Sequence, residues 1–180
     1  MLTAYIALGA NLASWVGPPQ ATLAAAAERL GELGRITARS SLYSTEPVGF
    51  AEQPRFVNAV AALETELEPP DLLKKLLEIE KQFGRDRLAS IPNGPRTLDL
   101  DILQIGDLEI DEPGLELPHP RLTERAFVLV PLHEISPNLQ IAGRGKTVEE
   151  LLQSLRDGPG GETNAVVRME SDGWRAAAHS

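Results

Sequence analysis

Two aspartates stand two residues apart in Leu98-Asp99-Leu100-Asp101-Ile102-Leu103. In a strand, residues i and i+2 share a face and lie about 6.6 Å apart along the chain. Leu98, Leu100 and Ile102 then take the opposite face and suit a core. Like charges this close repel unless something compensates them. Arginine or a divalent cation is the natural compensator, and Mg²⁺ accepts one or two carboxylates plus phosphate oxygens in place of a full protein cage. The competing reading is an edge strand with two ordinary surface acids, because carboxylates are mostly exposed.

Arginines flank the pair in sequence: Arg85, Arg87 and Arg96 before it or beside it, Arg121 and Arg125 after it. Guanidinium groups suit phosphate because their donors form a planar fork. Taken singly, each is as well explained by pairing with a local surface acid. Residues 84–95 hold two Gly, two Pro, an Asn and a Ser, which reads as a long loop carrying Arg85 and Arg87. Glu80 falls on the apolar stripe of its helix, four residues after Leu76, and needs either a partner or a route to solvent. His119 lies between Pro118 and Pro120, which stiffen the backbone on both sides. No HxxxH or HExxH spacing indicates zinc, and no Walker A, GxSxG or GxGxxG motif is present.

The elements that must position these residues follow from pattern. Thr3 to Leu8 reads as a buried strand ending at Gly9, and Gln20 to Leu33 as an Ala-rich helix closed by Gly34. Ile36 to Tyr43 and Phe56 to Leu67 read as strands, with a helix as the alternative for the second. Pro69-Pro70-Asp71 opens the clearest helix, with apolar positions Leu72, Leu73, Leu76, Leu77, Ile79 and Phe83 and Gly84 at its end. Arg96 to Ile105 holds the strongest strand, followed by a Gly106-Asp107 turn and a returning strand at Leu108-Glu109-Ile110. Ala126 to Ile135 and Val148 to Leu155 read as helices, and Val166 to Trp174 as a small terminal hairpin. The connection from Tyr43 to Phe56 has no helical pattern, so the strands it joins should pair antiparallel. This is an α+β sandwich, not a doubly wound parallel sheet.

Composition narrows the function classes. The 180 residues, 19.5 kDa, fit one domain with a decorated end: residues 1–157 as the domain and 158–180 as a C-terminal extension with a short hairpin and tail. The absence of Cys excludes a disulfide framework, a thiolate metal site and a Cys nucleophile. A net charge of −9 argues against non-specific nucleic-acid binding. No apolar run approaches a membrane span, and the N-terminus lacks a signal-peptide pattern, so the expected location is the cytoplasm.

The segment Gly94-Pro95-Arg96-Thr97-Leu98-Asp99-Leu100-Asp101-Ile102 resembles the signature of the 6-hydroxymethyl-7,8-dihydropterin pyrophosphokinase family of folate biosynthesis. Ala4 to Leu12, Tyr43 to Gly49, Phe56 to Ala59, Pro118 to Arg121 and Arg125 to Phe127 resemble its other segments in order, over about Tyr5 to Leu139. The resemblance implies a ferredoxin-like three-layer α-β-α sandwich with a mostly antiparallel central sheet. It implies transfer of pyrophosphate from ATP to the pterin hydroxymethyl group, with release of AMP and in-line attack on the β-phosphorus. By the same resemblance, Asp99 and Asp101 hold two Mg²⁺ ions. Arg85, Arg96, Asp99 and Asp101 are catalytic. Glu80, Arg85, Arg87, Arg96, Ile102, His119 and Arg125 bind ATP. Thr45, Pro47, Val48, Phe56, Asn58, Asp99 and Phe127 bind the pterin, with Phe56 and Phe127 against its faces and Asn58 at its edge. The partners implied are these small molecules, with no nucleic acid and no membrane, for a monomeric enzyme.

Three positions depart from the family pattern: Asn93 where several relatives carry Trp, Pro120 where some carry Tyr, and Leu77 at a helix position that is often polar. The loop before Gly94 is also one residue longer than a common form. The expected chemistry is positioning plus electrostatics without a covalent intermediate, and replacing either aspartate should remove turnover while leaving the fold intact. Two rivals remain at this stage: a silenced relative that only binds nucleotide or pterin, and a metal-dependent phosphohydrolase built on the same carboxylates.

Overall fold

The computed structural model describes residues 1–47, 52–86, 94–158, 166–171 and 173–174. Its centre is a six-stranded sheet made of β1 (Leu2–Ala10), β2 (Arg35–Arg39), β3 (Leu42–Thr45), β4 (Phe56–Thr65), β5 (Asp99–Ile105) and β10 (Val166–Met169). The order is β10-β3-β4-β1-β5, β2 also pairs with β4, and every pairing is antiparallel. The helical alternative for Phe56 onward loses: Ala and Glu suit either state, but β1 supplies a nine-residue partner.

Helices α1 (Pro19–Leu30) and α2 (Pro69–Gln82) cover one face, where Ile6, Leu8, Ala59, Ala61, Leu63, Leu100 and Ile102 meet Leu23, Leu30, Leu72 and Leu76. Helices α3 (Ala126–Ile135) and α4 (Val148–Asp157) cover part of the other, packing on Val60 and Leu103. This is the expected three-layer sandwich. α4 starts on a reciprocal cap, with Thr147 and Glu150 each accepting from the other's backbone amide. α3 stays helical through Pro131. Among the described residues no helix is long and apolar enough to cross a membrane.

Four expectations change. α1 closes at Gly31 and not at Gly34, because the amides of Gly31, Glu32 and Leu33 turn back onto the carbonyls of Ala27, Arg29 and Leu30. Gly34 instead lets the backbone pass close to β4: a β-carbon there would strike the Glu64 carbonyl oxygen. The strand expected over Ile36 to Tyr43 is broken into β2 and β3, both laid along β4. The segment after Gly106 does not return along β5; β6 (Ile110–Glu112) pairs with β7 (Leu115–Leu117) in a separate hairpin, as β8 (Gln140–Ile141) does with β9 (Lys146–Thr147) ahead of α4. Among the described residues the terminal hairpin is replaced by a single strand: Val166–Met169 forms β10 on the outer edge of β3, and Trp174 packs into the core.

Candidate active site

Strand pleating puts Asp99 and Asp101 on the sheet face shared with Ala7 and Gly9, their partners in β1. The same face carries Asn58 opposite Gly9, Tyr43 opposite Asn58, and Phe56 opposite Thr45. One row therefore runs Tyr43, Asn58, Gly9, Asp99 across four strands. Gly9 is a matter of room: a β-carbon there would come 2.6 Å from Asn58 Oδ1. The Asn58 amide lies over the bare glycine, and its Nδ2 donates to Thr45 Oγ1 at 2.6 Å. Just beyond Asp101 the register slips between Tyr5 and Ile6, a bulge of the kind that re-aims side chains beside functional sites.

Asp99 is compensated by arginine. Arg85 Nη1 donates to Asp99 Oδ1 at 3.0 Å, and Arg96 Nη1 donates to Oδ2 at 3.1 Å. β5 is an edge strand, and the site residues cover its outward backbone groups. Arg85 Nη1 donates to the Leu98 carbonyl at 2.9 Å, the Leu100 amide donates to Glu80 Oε2 at 2.7 Å, and the His119 amide donates to the Leu103 carbonyl at 2.8 Å. Glu80, only 1% exposed, is thus turned against β5 and lies 3.9 Å from Arg85.

The remaining expected residues converge unevenly. Arg96 lies over the Phe56 ring at 5.6 Å and Arg125 over the Phe127 ring at 5.4 Å. Burial lowers the Arg125 guanidinium below its ordinary value, Asp101 and Asp99 pull it up, and Arg121 and Arg96 push it down further. His119 is held below the ordinary histidine range by burial first and by Arg125 second, against the pull of Asp99. Its Nδ1 accepts from the Arg121 amide at 3.2 Å, which leaves Nε2 to carry the proton of the neutral ring. A cleft of about 250 Å³ is lined by Leu73, Ile102 and Leu115, with Asp101, Glu116 and His119 supplying polar groups. Thr45 is buried and turned to Asn58, and Pro47 stands two residues beyond the end of β3. Val48, Arg87 and Asn93 lie outside the described residues.

Sequence reasoning missed Asn11. It is 4% exposed, and its Nδ2 donates to Gln53 Oε1 and the Pro54 carbonyl, both at 2.9 Å. Its Oδ1 accepts from the Arg96 amide at 2.9 Å, and the Asn11 and Leu12 amides both donate to the Arg96 carbonyl. One side chain at the end of β1 thus fixes Arg96 against the approach to Phe56. The only signal was an Asn directly after a strand, a position where its amide can replace backbone partners.

Hard oxygen donors on one face, beside guanidinium groups, fit Mg²⁺ shared with phosphate oxygens. Among the described residues no cluster of three or more His, Asp or Glu is placed to hold a metal by itself.

Comparison with known proteins identifies the family. Residues 5–137 match the family described as 7,8-dihydro-6-hydroxymethylpterin-pyrophosphokinase. A 2-amino-4-hydroxy-6-hydroxymethyldihydropteridine pyrophosphokinase of Pseudomonas aeruginosa is 50% identical over 148 residues, 82% of this chain and 88% of its own. The protein of the same name from Haemophilus influenzae is 42% identical, over 87% of this chain and 95% of its own. A solved HPPK-DHPS structure of Plasmodium falciparum shares the fold at a TM-score of 0.69 and 17% identity, over 93% of this chain and 45% of that longer one. The chain thus spans less than half the length of that two-part protein. On the family match and these identities, the chain belongs to the 7,8-dihydro-6-hydroxymethylpterin-pyrophosphokinase family.

Proposed function

We propose that this chain transfers pyrophosphate from ATP to the hydroxymethyl group of 6-hydroxymethyl-7,8-dihydropterin, with release of AMP. The observation that carries this reading is the row in which Gly9 separates Asn58 from Asp99. It sets a group able to read a heterocycle's edge on one side of β1 and a carboxylate compensated by arginines on the other. A pterin on the Asn58 side would hold its hydroxymethyl oxygen toward Asp99 and Asp101.

Asn58 offers a donor and an acceptor to the pterin edge, and Phe56 and Phe127 offer ring faces. Asp99 and Asp101 would hold Mg²⁺, two ions in this reading. When bound, Mg²⁺ neutralises triphosphate charge and favours the deprotonated hydroxyl. Arg85, Arg96 and Arg125 hold phosphate oxygens in line, and the neutral His119 donates from Nε2. The apolar walls Leu73, Ile102 and Leu115 suit a flat purine. The pterin oxygen bonds to the β-phosphorus as the bond to the α-phosphate oxygen breaks, so AMP carries away that oxygen. No protein nucleophile is needed. The reading is of a monomeric enzyme acting in the cytoplasm.

The test is AMP formation from MgATP with and without 6-hydroxymethyl-7,8-dihydropterin. AMP only in the presence of pterin is the expected result. Phosphate or ADP released without pterin would replace the reading with a hydrolase. Tight binding of both ligands without turnover would make the chain a silenced relative.

A further inference from the structure

The C-terminal segment takes no part in the reaction as drawn, yet it is built into the wall of the pterin side. β3 has only three positions paired with β4: Tyr43 with Asn58, Ser44 with Val57 and Thr45 with Phe56. A ladder that short at a sheet edge opens readily. β10 covers its other side over four positions, with Val166 opposite Thr45 and Arg168 opposite Tyr43. Beyond the strand, the Trp174 ring is 7% exposed, its Nε1 donates to the Ser40 carbonyl at 2.9 Å, and the Arg39 guanidinium lies 5.0 Å from the ring centre.

A second tie reaches the same strand from α3. Glu134 Oε1 accepts from the Ser41 amide at 2.9 Å and from the Tyr43 hydroxyl at 2.7 Å. Its Oε2 accepts from Ser41 Oγ at 2.8 Å and lies 3.5 Å from Arg168 Nη2. One carboxylate therefore joins β10, the start of β3 and the helix whose first turn carries Phe127. The far end of β3 carries Thr45, which holds Asn58, and leads into Pro47.

We propose that β10 and Trp174 form a positioning element of the pterin subsite: they hold β3 so that Thr45, Asn58 and Phe127 keep a fixed relation. This rests on the pterin reading given above. Among the described residues, none of these ties reaches Asp99, Arg85, Arg96 or Arg125, so the effect falls on pterin affinity and spares the ATP side.

The test uses the full chain. Arg168→Glu sets a negative charge against Glu134; the native side chain is 59% exposed, so no core volume is lost. Trp174→Phe keeps a buried ring and removes the bond to Ser40. Arg168→Lys serves as the conservative control. Pterin Kd is measured by titration, KM for ATP by AMP formation, and fold by circular dichroism and melting. The expected result is pterin binding weakened roughly three- to thirtyfold in Arg168→Glu and in Trp174→Phe, with KM for ATP within about twofold and Arg168→Lys close to the parent. Unchanged pterin affinity in both variants overturns the proposal, as does a parallel loss on the ATP side, which marks a purely structural role. A parent protein that binds no pterin at all overturns the underlying reading first, before any variant is compared.

Discussion

Arg85 and Arg96 each place a guanidinium nitrogen on Asp99, and the Arg85 side chain is only 7% exposed. Asp99→Ala therefore leaves a largely buried cation beside the Leu98 carbonyl and Glu80, and it should cost about 1–3 kcal/mol of stability as well as turnover. This revises the expectation that both aspartate variants keep the fold untouched. Asp101→Ala is the cleaner probe: AMP formation should fall by about two to three orders of magnitude, the scale of several kcal/mol of lost charge stabilisation, while the melting point stays near the parent's. A near-normal rate in Asp101→Ala would remove the metal role. Gly9→Ala tests the other half of the row. The added methyl must displace the Asn58 amide, so pterin affinity should drop about tenfold or more while KM for ATP changes little. Equal losses on both sides would show that Gly9 serves general packing.

At the level of elements, the strand carrying the aspartates was legible because Leu98 to Ile102 alternate strictly and its apolar residues are β-branched or large. α2 was legible from its proline start and its stripe. What failed depends on tertiary partners. Nothing local distinguishes Gly31 from Gly34 as a helix end; the approach of Glu64 does, and it is 30 residues away. Leu108 to Ile110 carries strand propensity, but the outer edge of β5 is already taken by Glu80, Arg85 and His119. Val166 to Met169 has the pattern for a hairpin, yet the open edge of β3 wins. The charged site was visible because its residue types are rare in such clusters, whereas Asn11 was not, since an Asn after a strand is common. The Glu134 tie, equally invisible in sequence, gives a pH prediction. Burial first, and the Glu134 carboxylate second, hold the Tyr43 hydroxyl above the ordinary tyrosine value. That contribution to stability is fully present below about pH 10 and is lost as pH rises through the raised value. Tyr43→Phe should flatten the alkaline fall in unfolding free energy and remove a raised tyrosine transition from the absorbance titration. An unchanged alkaline slope would mean that Tyr43 is not the responsible group.

For the whole molecule, two electrostatic effects oppose each other. The net charge of −9 repels an anionic nucleotide at long range, whereas Arg85, Arg96, Arg121 and Arg125 attract it locally. Screening decides between them. At about 0.1 M salt, charges more than about 10 Å apart barely interact, while a contact pair at about 4 Å near a protein surface keeps roughly 4 kcal/mol of Coulomb energy before desolvation. The local arginines should therefore dominate under ordinary conditions. Raising KCl from about 0.1 to about 0.5 M should then raise KM for ATP several-fold, because the remaining effect to be screened is attractive. Pterin is uncharged, so its Kd should stay within about twofold over the same range. Stability should move the other way, since salt relieves the self-repulsion of an acidic chain. The three signs can be measured on one preparation by initial rates, pterin titration and melting. A fall in KM for ATP with added salt would mean that the distant acidic charge governs nucleotide capture, and that the arginine cluster is neutralised by its own carboxylates before ATP arrives.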